Sequence, residues 1–223
     1  MNSDSAVEKD DSPAEHRSPL KGPRLRVVVV ASVASLLIGS GLWIYVRFFV
    51  DPSYVQPLVP EGGDVRYLPT PQDVVERLLK LANVTKDDVV YDLGSGDGRI
   101  PVTASKQYGC RSWGYEINAE LVKESRRNAR EYGVEDLTTF EREDIFTLDL
   151  READVIVLYL LPKLNARLIP QFQQLRPGSR IATHMFEIPG VRPDKVLRMD
   201  SSEDGLERVL YLYTTPLQLE ETE

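Results

Sequence analysis

Residues 89–99 read VVYDLGSGDGR, an apolar run followed by an acid and then by glycines at positions 94, 96 and 98. The apolar run predicts a buried strand, and the residues from Arg99 onward continue as a helix, so the glycines lie in a tight turn between the two. Glycine at such a turn allows a ligand to approach the backbone closely. The spacing departs from the dinucleotide fingerprint GxGxxG, since position 99 is arginine. Asp92 at the strand end would repel a pyrophosphate and attract an ammonium group, which favours a cationic ligand.

Strand-like and helix-like segments alternate around this turn. A first helix is predicted with Thr70 as N-cap and Pro71 at its first position, ending near Ala82. Further helices are predicted over 99–108, 119–132 and 163–175, and strands over 89–94, 111–117, 137–144, 154–161, 179–186, 194–200 and 207–215. Helical segments between the first five strands predict a parallel sheet covered on both faces, whereas the short turn 201–205 predicts an antiparallel hairpin. The expected fold is α/β, a Rossmann-like seven-stranded sheet that is mostly parallel and has a C-terminal antiparallel hairpin.

The N-terminal part of the chain has a different composition. Residues 1–26 are polar and predict a disordered tail. Residues 27–46, VVVVASVASLLIGSGLWIYV, contain no charge and as a helix would span about 30 Å, which predicts one transmembrane helix. A buried core helix and a cleaved signal peptide are the alternatives, but the run is long for a signal core and no small-x-small site follows it. A proline-rich linker is predicted over 47–69, the folded α/β domain over 70–216 and an acidic tail over 217–223.

Charge and cysteine content narrow the class of partner. The chain carries a net charge of −8, and residues 51–223, with 21 basic and 30 acidic side chains, carry −9. Such acidity disfavours nucleic-acid binding, which depends on phosphate neutralisation by basic residues. The single cysteine, Cys110, excludes an intrachain disulfide framework. His184 is the only histidine after residue 16, so we expect no metal site, and we expect its ring to make a local hydrogen bond rather than to act in catalysis.

Two more acidic positions follow neighbouring strands. Glu116 ends the second predicted strand, where a carboxylate can accept both hydroxyls of a ribose. Glu143 and Asp144 end the third, in position to accept a hydrogen bond from an adenine amine. An acid at one strand end is commonly a helix cap or solvated. The carboxyl ends of consecutive parallel strands share one edge, however, so together with Asp92 these acids predict a cleft for a positively charged nucleoside.

On these residues the chain resembles the seven-stranded, class I S-adenosylmethionine-dependent methyltransferases over about residues 65–215. The segments YLPTP (67–71), DLGSGDGRI, GYEIN and LYLLPKLN resemble more narrowly the membrane-tethered protein-lysine methyltransferases of mitochondria and their bacterial relatives. Those mitochondrial enzymes modify the adenine nucleotide translocase and the ATP synthase c subunit, and they share a hydrophobic N-terminal segment. The resemblance implies S-adenosyl-L-methionine as cofactor. It also implies cofactor-binding roles for a set of residues: Thr70, Asp92, Gly94, Ser95, Gly96, Asp97, Gly98, Glu116 (ribose) and Asp144 (adenine).

The acceptor implied by the resemblance is a lysine of a protein at or near the membrane. A lysine amine with a pKa of about 10.4 must lose a proton, which costs roughly 4 kcal/mol near pH 7.4, and an apolar channel reduces that cost. Tyr67 and Tyr159 are the residues predicted to line this channel and thus to serve catalysis. Methyltransferases acting on bases carry Asn/Asp-Pro-Pro-Tyr after the fourth strand, whereas residues 159–162 here read YLLP, which further disfavours a nucleic-acid substrate.

Other functions and the membrane orientation stay open at this point. The alternatives are methyl transfer to a membrane-associated small molecule, such as a quinone or lipid, and a non-catalytic nucleoside-binding module. We expect a single-pass membrane protein held by residues 27–46. Four basic residues precede the span and two follow it closely, so the positive-inside rule would place the tail in the cytoplasm and the domain on the other side. A cytosolic cofactor would require the opposite orientation.

Overall fold

The computed structural model of the chain describes residues 67–220, which form one seven-stranded sheet and four helices. The helices are α1 (Gln72–Leu81), α2 (Arg99–Tyr108), α3 (Ala119–Glu131) and α4 (Pro162–Phe172). The strands are β1 (Val89–Leu93), β2 (Arg111–Glu116), β3 (Thr138–Arg142), β4 (Val155–Leu158), β5 (Arg180–His184), β6 (Lys195–Asp200) and β7 (Glu207–Thr214).

The sheet has the strand order β3-β2-β1-β4-β5-β7-β6. Strands β1 to β5 run parallel to one another, and β7 is antiparallel to both β5 and β6. The predicted mostly parallel sheet with antiparallel C-terminal strands is thereby confirmed. The sequence pattern did not predict that β7 lies between β5 and β6, which leaves β6 at the edge of the sheet.

The predicted N-terminal segments lie outside the described residues. These are the tail 1–26, the transmembrane helix 27–46 and residues 47–66 of the linker, together with the last three residues of the acidic tail. Within residues 67–220, no helix combines the length and the apolar character needed to cross a bilayer.

The core consists of two layers, one on each face of the sheet. Ile156 and Leu158 of β4 pack with α4 on one face, while Val155 and Val157 pack with α1 and α2 on the other, and all four are fully buried. All five residues of β1 are likewise buried. A parallel strand covered by helices on both faces reads as a continuous apolar run, which is why VVYDL could be recognised in the sequence. Asp92 is the exception within that run.

One connection departs from the predicted alternation of strands and helices. Residues 143–154, between β3 and β4, form turns and no helix. The side-chain amide of Gln171 on α4 donates to the backbone oxygens of Ile145 and Leu148 at 3.1 and 2.9 Å. These bonds satisfy carbonyl groups that a helix would have paired internally. The expectation of a helical segment between every pair of the first five strands was therefore wrong here.

The N-terminus of α1 is capped by a residue distant in sequence. The N-cap is Pro71 and not Thr70, so the helix starts one residue later than predicted. The backbone N–H groups of Gln72 and Asp73 donate to Oε1 of Glu203, in the β6–β7 turn, at 2.6 and 3.2 Å. Because Glu203 satisfies these N–H groups, the Thr70 hydroxyl is available for a different contact.

Candidate functional site

A cavity of about 410 Å³ lies at the carboxyl ends of the parallel strands. It is lined by residues that follow β1, β2, β3 and β4, where the chain order of the strands reverses between β1 and β4. Open α/β sheets bind ligands at such a reversal, and the volume is in the usual range for a small-molecule site. The sequence-predicted site residues that line the cavity are Tyr67, Thr70, Asp92, Gly94, Ser95, Asp97, Glu116, Asp144 and Tyr159.

Three side chains in this cavity, Tyr67, Asp92 and Ser95, have buried oxygens that lack partners among the described residues. Asp92 is only 2% exposed and its Oδ2 makes no hydrogen bond, and Oγ of Ser95 is also buried and unpaired. Burial, with the nearby charges of Glu116 and Asp97, raises the pKa of the Asp92 carboxyl well above its ordinary value. Buried polar atoms are nearly always satisfied, so unpaired ones that face a cavity indicate a ligand that supplies donors. A cationic donor would suit Asp92 best, because it offsets the charge of that carboxylate and the charges of Glu116 and Asp97 beside it.

Glu116 is held in a fixed orientation at the end of β2. Its Oε2 accepts a hydrogen bond from the Gly96 N–H at 3.0 Å, and its Oε1 accepts one from the Asn118 N–H at 2.8 Å. Each carboxylate oxygen can accept a second bond, so the side chain remains able to receive two hydroxyl groups. The Asn118 side chain in turn caps α3 by accepting from Glu120 N at 2.9 Å. The glycine turn and the start of α3 thus position Glu116 together.

Asp144 lies at the exposed rim of the cavity, in the connection that has no helix. Its Oδ1 accepts from the Phe146 N–H at 3.0 Å, while its own carbonyl accepts from the Thr147 hydroxyl at 2.8 Å. These bonds hold the loop and leave the Asp144 Oδ2 atom available to a donor such as an adenine amine.

Arg99 is a cavity residue whose role the sequence analysis missed. Its Nε and Nη2 donate to the Asp97 carboxylate at 3.0 and 2.7 Å, and its Nη1 donates to the Thr70 carbonyl at 2.7 Å. Asp97 lines the cavity, but its carboxylate is occupied by this ion pair. Arg99 therefore ties the segment before α1 to the glycine turn. The signal available in the sequence was its place directly after the last glycine.

Gly96 and Gly98 do not line the cavity, although both were predicted to bind the cofactor. Gly96 has φ of +55°, and a Cβ there would lie 2.1 Å from a ring carbon of Tyr67, so glycine permits that ring to cover the turn. Gly98 has φ of +79° and is the N-cap of α2. Both glycines shape the site through the backbone. Burial and the neighbouring Asp97 raise the pKa of Tyr67, which keeps its phenol protonated at neutral pH.

The far part of the cavity is apolar and aromatic. Tyr159 and Phe186 both line it, with ring centroids 6.2 Å apart. Leu160, Leu161 and Leu164 complete this part, and Arg167 lies 3.6 Å from the ring centroid of Phe146. Tyr159 was predicted from the sequence, whereas Phe186 was not, because its position depends on the bend after β5.

His184 lies behind this wall and is not one of the described residues that line the cavity. It is fully buried, its Nδ1 forms a hydrogen bond with Thr70 Oγ1 at 3.2 Å, and its ring centroid is 4.2 Å from that of Tyr159. The ring makes a hydrogen bond, but its partner is distant in sequence and not local as expected. Burial, and secondly the charge of Arg208, lowers the pKa of the imidazole to about 4. The ring is therefore a weaker base than a free imidazole and lies behind the cavity wall, so it is not placed to take a proton from a lysine ammonium.

Acidic and sulfur side chains form no metal-binding group here. Among residues 67–220, no cluster of three or more His, Cys, Asp or Glu side chains has the arrangement of a metal site.

Comparison with known proteins places the chain near lysine methyltransferases. A family model described as the ANTKMT methyltransferase domain matches residues 92–195. A protein-lysine N-methyltransferase of Saccharolobus islandicus is 41% identical over 152 residues, which cover 67% of this chain and 92% of that protein. The adenine nucleotide translocase lysine N-methyltransferase of Mus musculus is 32% identical over 191 residues, covering 84% of this chain and 80% of the mouse protein.

A solved structure supports the cofactor class. The crystal structure of a Salinibacter ruber protein named as an RNA methyltransferase, in complex with S-adenosyl-L-homocysteine, is 44% identical and superposes with a TM-score of 0.63. It covers 70% of this chain and 98% of the Salinibacter chain. The similarity in sequence and fold therefore extends over nearly the whole of a methyltransferase that binds the demethylated cofactor.

Proposed function

This chain belongs to the S-adenosylmethionine-dependent protein-lysine methyltransferases, and from that premise we propose that it methylates a lysine of a protein at or near a membrane. The observation that carries the proposal is the division of one cavity into two parts. Carboxylates surround the part at the ends of β1, β2 and β3, whereas the part after β4 is lined mainly by aromatic and aliphatic side chains, with Arg167 packed on Phe146. The first part suits a cationic nucleoside and the second suits a neutral amine.

The residues present fit the cofactor. The unpaired Oδ2 of Asp92 would accept from the ammonium of its methionyl end, and the two oxygens of Glu116, oriented by Gly96 and Asn118, would accept from the ribose hydroxyls. Asp144 would accept from the adenine amine. When bound, S-adenosylmethionine supplies an electrophilic methyl group on a positively charged sulfur. Arg99 is engaged by Asp97 and Thr70, so it does not offer the free phosphate ligand that a dinucleotide site would use.

The acceptor part of the cavity favours the reactive form of lysine. Apolar surroundings disfavour the ammonium form and so reduce the cost of deprotonation, which is about 4 kcal/mol at pH 7.4 in water. Tyr159 and Phe186 supply aromatic surface. Tyr67 stays protonated, so its hydroxyl can donate a hydrogen bond to the incoming amine or accept one from it. We assign the main part of the rate enhancement to orientation of the amine towards the methyl group, since methyl transfer needs little acid catalysis.

A membrane location of the substrate is supported by residues 27–46. This run of twenty residues without charge has the length of one bilayer crossing. The match with the mouse enzyme covers 84% of this chain, so it extends beyond the described residues into the segment before Tyr67. A tether restricts the enzyme to the membrane surface, which raises the effective concentration of membrane-bound acceptors.

Two other substrate classes remain as outcomes of the test. The name of the Salinibacter protein suggests RNA, but the net charge of −9 over residues 51–223 opposes binding to a polyanion. A quinone or lipid would fit the same apolar part of the cavity, and only the location of the transferred methyl group distinguishes it from protein.

The test uses tritiated S-adenosylmethionine, purified full-length protein, and membranes from cells that lack it. Label is measured in three fractions, namely total protein, the organic extract and RNA. We expect label in a discrete protein band that resists ribonuclease and yields methyl-lysine on acid hydrolysis. Label confined to the organic extract or to RNA would overturn the lysine proposal in favour of that substrate.

A cofactor-site variant is the matched control for this assay. Glu116→Ala removes the acceptors for the ribose hydroxyls and should weaken cofactor binding by about 1 kcal/mol or more, measured by calorimetry. The labelled band should then decrease at limiting cofactor concentration. Unchanged affinity would remove Glu116 from the site.

A further inference from the structure

Two cavity residues from separate segments contact one buried imidazole. Thr70 precedes α1 and Tyr159 follows β4, and both line the cavity. Behind them, His184 at the end of β5 forms a hydrogen bond with Thr70 Oγ1 at 3.2 Å and packs its ring 4.2 Å from that of Tyr159 at an interplanar angle of 42°. One side chain therefore touches both the segment over the glycine turn and the aromatic part of the cavity.

The contact with Thr70 extends to the cofactor part of the site. The Thr70 carbonyl accepts from Arg99, and Arg99 pairs with Asp97 in the glycine turn. Three residues earlier, the Tyr67 ring covers the backbone of Gly96, where even a methyl group would collide with it. Loss of the Thr70–His184 bond would therefore loosen a segment that packs directly on the turn that binds the cofactor.

The surroundings of His184 keep its ring neutral. The charged groups facing it are Arg208 on β7 and Asp204 in the turn before β7, and these two pair with each other. Its neighbour across the sheet is Leu210. Nε2 is buried and has no partner among the described residues, so the ring makes a single polar contact, to Thr70. A neutral ring with one bond and one packed face is suited to fixing the positions of its neighbours.

We propose that His184 is a positioning residue for methyl transfer, which fixes Thr70 through one hydrogen bond and Tyr159 through its ring face. It thereby sets the arrangement of the cofactor and acceptor parts of the cavity relative to each other. The acceptor side of this role rests on the proposed lysine methylation. The link to the cofactor side concerns only residues of this chain and stands apart from the identity of the acceptor.

The first experiment is a double-mutant cycle read by calorimetric titration of the full-length protein with S-adenosylhomocysteine. Thr70→Val removes the hydroxyl and His184→Phe removes the ring nitrogen, and each should weaken binding about 2- to 10-fold, the upper value being the whole contribution of one hydrogen bond. The double variant should bind no more weakly than either single variant, because both remove the same bond. Thr70→Ser should restore most of the affinity. Losses that multiply in the double variant would overturn the proposal.

The second experiment separates the ring face from the hydrogen bond. His184→Asn retains an amide near the Nδ1 position but removes the ring against Tyr159. We expect its S-adenosylhomocysteine affinity to stay within twofold of the wild type, while kcat/KM for protein label in the membrane assay falls at least tenfold. Tyr159→Leu should cause a similar loss, and the two changes together should lose no more than either alone. A fall in affinity equal to the fall in kcat/KM would overturn the separate role of the ring.

The two readouts distinguish this proposal from the proposed function. If the wild type labels no protein, lysine methylation fails, but the titration cycle still decides the Thr70–His184 link. If a His184 variant does not fold, as judged by its melting temperature, Thr70→Val and Thr70→Ser leave the imidazole intact. Equal affinities of those two variants would then overturn the link.

Discussion

At the scale of single residues, Asp92 shows that this site is arranged for binding at the expense of stability. A carboxylate with an unpaired oxygen is buried near Glu116 and Asp97, where both desolvation and repulsion oppose its charge. Burial of an unpaired polar or charged group destabilises a fold. The strand around Asp92 is otherwise apolar, so packing alone would have favoured an apolar side chain there. A cationic ligand removes both penalties at once.

Asp92→Asn should therefore make the ligand-free protein more stable and its cofactor binding weaker. We expect the free energy of unfolding to rise by about 1–3 kcal/mol at neutral pH, because a charge is removed from a buried position. Cofactor affinity should fall at least tenfold through loss of the carboxylate that faces the ammonium group. Urea unfolding and calorimetric titration of the same preparations measure the two effects.

The difference in stability between Asp92→Asn and the wild type should depend on pH with a defined sign. The pKa of the Asp92 carboxyl is raised in the folded protein, so the folded state binds more protons than the unfolded state above pH 3.8. As pH rises from 3.8 through the raised pKa, the Asp92 carboxyl of the folded protein loses its proton. The free energy of unfolding of the wild type decreases over that range. The stabilisation by Asp92→Asn should accordingly be larger at pH 8 than at pH 5. A variant less stable than the wild type at pH 8 would contradict this account.

At the scale of elements, the glycine turn is shaped by close packing against neighbouring elements. Gly98 starts α2 with φ of +79°, and a Cβ there would lie 2.5 Å from the Phe140 ring and 2.6 Å from Cβ of Ser125. The turn thus packs closely against β3 and α3. Gly109, at the other end of α2, has a similar φ of +69° but no atom within 4 Å of a Cβ.

Alanine substitution at these two glycines separates the cost of a left-handed backbone from the cost of steric crowding. Gly98→Ala should cost about 2–5 kcal/mol, the sum of a left-handed alanine and an overpacked contact. Gly109→Ala should cost only about 1–2 kcal/mol, since it carries the backbone penalty alone. Thermal unfolding of the full-length protein gives both values. Equal losses in the two variants would show that close packing at Gly98 contributes nothing.

The ends of elements were the least predictable part of the fold. Within residues 67–220, every strand and every helix but α4 falls within a segment predicted from apolar periodicity and turn residues, and α4 begins one residue before its predicted start and ends three residues before its predicted end. The residue that caps α1 could not be predicted from the sequence. Glu203 is 131 residues from Gln72 and approaches it only through the turn between β6 and β7. The absent helix between β3 and β4 has a similar cause, since Gln171 of α4 binds that loop across the fold.

At the scale of the whole molecule, an apolar segment and an acidic domain are joined in one chain. The twenty-residue apolar run precedes a domain segment with a net charge of −9. We propose that the run inserts in a bilayer while the catalytic cavity stays in water. The side of the membrane is set by the flanking basic residues and by access to the cofactor, and these two predict opposite orientations.

Membrane fractionation tests the tether. The full chain should remain in the membrane pellet after alkaline carbonate extraction, because about twenty apolar residues suffice to cross a bilayer. A variant that lacks residues 27–46 should appear in the supernatant and retain S-adenosylhomocysteine binding by calorimetry. Recovery of the full chain in the supernatant would show that these residues do not anchor it.

The sequence by itself determined the α/β class, most of the strand and helix segments and the position of the glycine turn. Periodicity and glycine positions are local properties, and residues at successive strand ends necessarily meet at one edge of a parallel sheet. Only the tertiary structure decided the place of β7, the cap on α1, the Arg99 bridge and the contact of His184 with Thr70 and Tyr159. Each of these depends on side chains from distant segments that come together when the sheet packs, and no local pattern encodes such a meeting.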